Sequence, residues 1–132
     1  MITYDEIWET FLNNYKAEPI DLPSTNEQIY QFIANAVLLL NNRLRTSYTC
    51  DHENEVVNGL DGNADILLLI AHYIKLTFLK NDLTFFEKLW QPLSSDVGIK
   101  NFRVQMSSLT SSIEAQEKAI ETFIFNAMED YL

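Results

Sequence analysis

Cysteine, proline and glycine are scarce in this chain, and the scarcity narrows the fold before any motif is read. The single cysteine, Cys50, cannot close an internal disulfide, so 132 residues must be held together by a core rather than by staples. A chain of that length makes one domain, 1–132, and buries about two-thirds of its unfolded surface, which is enough. Only three glycines and three prolines interrupt it, and no segment alternates polar and apolar residues over the length of a strand. Those absences point to an all-α fold. The most apolar run, Ile66 to Ala71, is flanked by Asp65 and His72 and falls far short of the roughly 20 residues of a membrane span. The opening MITYDEIWE is acidic where a secretory signal is basic. Basic residues are few as well: nine Lys and Arg stand against nineteen Asp and Glu, a formal net charge of −10. They are scattered, so no basic stripe is available to grip phosphates. Solubility accounts for an acidic excess of this kind; its sharper uses are a conduit wall that must not hold DNA, or a mimic of DNA itself.

What is present reads as about five helices forming a compact bundle. Thr3 with Glu6 has the form of a capping box, followed by an apolar face of Ile7, Trp8, Phe11, Leu12 and Tyr15. Pro19 and Pro23 separate it from a second helix, which starts at Ser24 or Thr25. Its stripe of Ile29, Phe32, Ile33, Ala36, Val37, Leu40 and Leu44 is widened by Leu38 and Leu39, which predicts cover on more than one side. Residues 46–63, TSYTCDHENEVVNGLDGN, lose this period and read as an irregular acidic loop, either mobile or ordered on assembly. A third helix after Asn63 is apolar on nearly every side and should be the central one. Asn81 and Asp82 offer a turn and a new cap, so a short aromatic helix is expected from Leu83 to Gln91.

Catalytic chemistry finds no support in these residues. His72 lies in the central helix with no nucleophile at a telling spacing, as a hydrogen-bonded core or boundary histidine does. His52 and Cys50 are too few for zinc. The acidic loop lacks the sixth-position glycine of a calcium hand, which is Val56 in a register starting at Asp51 and Ile66 in one starting at Asp61. The GLDG at residues 59–62 lacks the lysine and the spacing of a phosphate loop. No catalytic residue, cofactor or metal is therefore expected.

The stretch that organises the chain is its C-terminal helix. Ile99, Phe102, Met106, Leu109, Ile113, Ile120, Phe123 and Ala127 recur at threes and fours with one gap at Gln116, over a length of roughly 45 Å. Glu114, Glu117 and Glu121 form an acidic ridge, read here as opposite the seam, with Lys118 spaced to pair with Glu114 and Glu121. Phe125, Met128 and Leu132 open a second apolar stripe, which calls for a second partner. Trp90, just before Pro92, is a further candidate anchor at an interface.

The order of these elements, and the stretch DGNADILLLIAHYIKLTFLKNDLTFFEKLWQPLSSDVGIKNFRVQ with DVGIKNF as its most particular piece, resemble the head-to-tail connector, or adaptor, proteins of tailed bacteriophages. The resemblance covers the second half of the chain closely and the first half in helix order alone. It implies a structural protein rather than an enzyme: a ring, commonly of twelve copies, assembled in the host cytoplasm and built into the virion neck. Such a ring docks below the portal, meets the next neck or tail component and extends the channel through which DNA passes without sequence-specific binding. In that setting Glu114, Glu117 and Glu121 would face the channel, where an acidic wall does not retain phosphates. Trp90, Phe125, Met128 and Leu132 would meet the portal or a ring neighbour. The rival reading from charge is an acidic protein-binding inhibitor that mimics nucleic acid.

Overall fold

A computed structural model describes residues 2–15, 22–59, 64–90 and 99–131, apart from the side chains of residues 89–90, 99–102 and 128–131. Among them, strand β1 (Ile2–Thr3) leads directly into helix α1 (Tyr4–Asn14). Helix α2 (Asn26–Leu44), strands β2 (Thr49–Asp51) and β3 (Val56–Asn58), and helices α3 (Ala64–Trp90) and α4 (Ile99–Tyr131) follow. The chain is thus mostly helical, with a small antiparallel sheet of order β1-β3-β2.

The helix starts follow from local chemistry. Thr3 caps α1 by accepting the Glu6 N–H at 3.2 Å, and Asp5 and Glu6 sit at the positive end of the helix dipole. Of the two caps open to α2, Thr25 is used: its hydroxyl accepts the Gln28 N–H, while Gln28 Oε1 turns back to accept the Ser24 N–H. Arg45 ends α2 in the left-handed region, with its N–H on the Asn41 carbonyl.

Two expectations are corrected here. The all-α reading misses the sheet, because residues 49–58 form a hairpin rather than an irregular loop. Strands of two or three residues are too short to show period-two alternation, and β3 finds its second partner, β1, more than fifty residues away in sequence. The hairpin turn is closed by Asp51, whose carboxylate accepts the backbone N–H groups of Glu53 and Asn54 and the Asn54 side chain. This carboxylate therefore serves the turn rather than a cation. The second correction is at Asn81 and Asp82, where no break occurs and α3 runs on to Trp90, giving four described helices instead of five. No proline or glycine stands there to force a break, and Tyr15, just past the end of α1, donates to Asp82 Oδ2 at 3.4 Å, so that carboxylate is held sideways instead of capping a new helix.

α3 is the centre of the molecule. Ile66, Leu69, Ile70, Tyr73, Ile74, Leu76 and Phe78 are buried on almost all of its sides, between α1 and α2 on one flank and α4 on the other. Phe78 joins the first three helices: its ring lies 4.6 Å from Phe32, 5.0 Å from Phe11 and 6.4 Å from Trp8. The sheet belongs to the same core, with Ile2 and Val57 buried among the helices' residues.

Candidate functional site: the acidic flank of the long helix

The face that α4 turns to α3 is set by Ile113, Gln116, Ile120 and Ile124, all buried. Ile124, omitted from the seam read in the sequence, is the core residue, and Phe123 beside it is only half-buried. The gap at Gln116 has a purpose. Its Nε2 lies 3.1 Å from the His72 carbonyl oxygen and 3.1 Å from His72 Nδ1. A carbonyl only accepts, so the amide nitrogen must be the atom placed there, and both of its hydrogens are then spent on His72. Nδ1 is consequently an acceptor, and the neutral ring carries its proton on Nε2. Burial, and then the nearby Lys75 ammonium, hold this imidazole below its ordinary value. His72 is accordingly the hydrogen-bonded boundary residue that the sequence suggested.

Each acidic residue of the ridge directly follows a buried one: Glu114 after Ile113, Glu117 after Gln116, Glu121 after Ile120. One residue turns a helix by about 100°, so the ridge flanks the seam and does not lie opposite to it. That correction explains the partner of Glu121, which is Arg43 of α2 rather than Lys118. Arg43 Nε and Nη2 reach the carboxylate at 3.0 and 2.7 Å, a bidentate pair that draws Glu121 below the usual carboxylate range. Both side chains are about half exposed, so the pair contributes at most about 1 kcal/mol.

Phe125 directly follows the buried Ile124 and is 68% exposed. The same rotation therefore carries it onto the ridge's flank, and two features that the sequence presented separately become one surface. Exposed Glu114 and Glu117 lie at one end, and an exposed aromatic ring lies about 12 Å further along. The side chains of Met128 and Trp90 and residue Leu132, the other proposed contacts, lie outside the described residues. More apolar surface is open elsewhere. Leu38 is 65% exposed on α2, against the cover expected for it, and Phe85 and Val104 are each 68% exposed on α3 and α4.

A second polar cluster escaped the sequence reading because the sheet assembles it from distant residues. The buried Tyr4 hydroxyl meets His52 Nδ1 at 2.7 Å, Tyr30 stacks on His52 at 5.2 Å, and Tyr30 donates to Glu55 Oε1 at 2.6 Å. Burial drives the Tyr4 hydroxyl and the Cys50 thiol upward, so Cys50 stays protonated at neutral pH and is a poor nucleophile. The cluster fastens the hairpin to α1 and α2. Among the described residues, no group of three or more His, Cys, Asp or Glu could hold a metal ion, and no helix is long and apolar enough to cross a membrane.

The YomZ prophage protein family matches residues 1–129 of this chain. The chain belongs to that family. An SPbeta prophage-derived protein, YomZ, of Bacillus subtilis (strain 168) is 48% identical over 132 residues, which is 100% of each chain. No solved structure matches. The origin of the YomZ family in a prophage makes the chain phage-related.

Proposed function

We propose that this protein is a structural head-to-tail connector, or adaptor, which forms a ring below the portal and lines the DNA exit channel. The observation that carries the reading is the outer flank of α4. A 33-residue helix presents the exposed carboxylates of Glu114 and Glu117, which form no ion pair among the described residues, together with an exposed Phe125. An isolated chain gains nothing by holding a large aromatic ring in water, whereas a ring neighbour or portal would cover it. The acidic part of the flank faces the channel, where it repels phosphates, and the net charge of −10 extends that effect over the molecule. Prophage ancestry supports this setting. The protein acts without catalysis or cofactor, and its partners are copies of itself, the portal and the next neck component.

A genetic experiment tests the reading. Removal of the coding sequence from an inducible prophage should leave filled heads without attached tails when the lysate is viewed by electron microscopy. Normal, complete virions from that lysate would refute the assignment.

A further inference from the structure

Away from the acidic flank, α1 and α3 enclose a cleft of about 160 Å³. Its apolar wall is Phe11, Leu68 and Ala71, and its polar wall is Asn14, His72 and Lys75. The volume is of the size that holds one small ring, as an enclosed and wholly apolar cavity of about 150 Å³ holds benzene; here the cleft is open on one side and one wall is polar. Two of the polar residues, His72 and Lys75, bring donors, and Asn14 brings both a donor and an acceptor. Gln116 occupies Nδ1 of His72 from the α4 side, so the ring's own N–H is Nε2. Lys75 adds an ammonium that forms no ion pair among the described residues, in a chain where carboxylates outnumber cations two to one. Tyr15 closes the edge with its hydroxyl already given to Asp82, and Asn14 donates one amide hydrogen to the Thr10 carbonyl.

We propose that this cleft binds a small organic carboxylate, its compact apolar body against Phe11 and Leu68 and its charge between the Lys75 ammonium and the His72 Nε2–H. The Gln116 clamp is what makes the site specific. It holds His72 as the tautomer with its proton on Nε2, a donor in the wall of the cleft, and a charged acceptor gains from two donors where a neutral ring gains only contact area. Gln116 is a positioning residue in this arrangement and does not touch the ligand.

The test uses the purified full chain and therefore does not depend on the connector reading. Benzoate is titrated in with benzyl alcohol as the uncharged control of equal ring size, and nuclear magnetic resonance follows the Leu68, Ala71 and His72 signals. Saturable shifts confined to the cleft are expected with benzoate, at an affinity on the order of millimolar for so small a ligand. Lys75→Met should weaken that affinity about tenfold or more while leaving the remaining spectrum in place. No saturation with benzoate, equal affinity for benzyl alcohol, or an unchanged affinity in the Lys75→Met protein would each overturn the proposal.

Discussion

Gln116 decides how the last helix meets the rest of the protein. It is 5% exposed, and both hydrogens of its amide are used by His72. Gln116→Leu fills similar space but takes the donor from His72 Nδ1, while the His72 carbonyl keeps its partner within α3, so urea unfolding should show a loss of about 1–3 kcal/mol. A variant as stable as the parent would mean that water replaces the clamp. His72 itself gives stability a pH dependence with a definite sign. Its folded value lies below the ordinary 6.5, so the unfolded chain binds the proton more readily. The contribution is complete above the unfolded value and declines as pH falls from there towards the folded one. Protonation would also set an Nδ1–H against the Gln116 donor. His72→Gln should flatten the stability profile across that interval, as read from denaturation midpoints at successive pH values. The sequence disclosed His72 as a boundary residue and Gln116 as a gap in a seam. Their pairing was not legible, because nothing in either residue's neighbourhood says which turn of α3 faces which turn of α4.

Among the elements, the helices were written plainly and the sheet was not. Thr3, Thr25 and the long apolar periods announced α1, α2 and α4 through interactions within a few residues. The hairpin depends on β1, and that pairing spans the distance from Ile2 to Val57. The polar run around residues 51–55 is a turn stabilised by Asp51, with Glu55 in the left-handed region at φ 53° and its carbonyl accepting the Tyr4 N–H. Because Val57 is fully buried, the hairpin is part of the folded core and does not wait for a partner to order it. Amide hydrogen exchange on the isolated chain should therefore protect β3 nearly as well as α3; exchange of β3 at the rate of free peptide would contradict this. Val57→Ala should cost about 1–3 kcal/mol in thermal or urea unfolding, a loss that an independent surface loop would not produce. The break expected at Asn81 failed for a related reason. Cap-forming residues are only weak helix breakers, and the contact between Tyr15 and Asp82 lies outside any local window.

For the whole molecule, charge and exposed apolar surface were both visible in composition, but their placement on one flank of α4 was not. A rotation of one residue from the seam gathers Glu114, Glu117 and Phe125: buried Ile113 and Gln116 fix it for the carboxylates, and the choice of Ile124 over Phe123 as core residue fixes it for Phe125. Phe125→Ser should leave folding stability within about 0.5 kcal/mol of the parent, since the ring is exposed, while abolishing assembly. A variant that still assembles would remove Phe125 from the contact surface. The central claim, a ring built on a portal, is tested most directly by the mass of the protein in solution over a range of concentrations, with and without a purified portal ring. The account predicts a closed ring, or a monomer that joins the portal in a fixed ratio matching its symmetry. A protein that stays monomeric and ignores the portal at every concentration would contradict it.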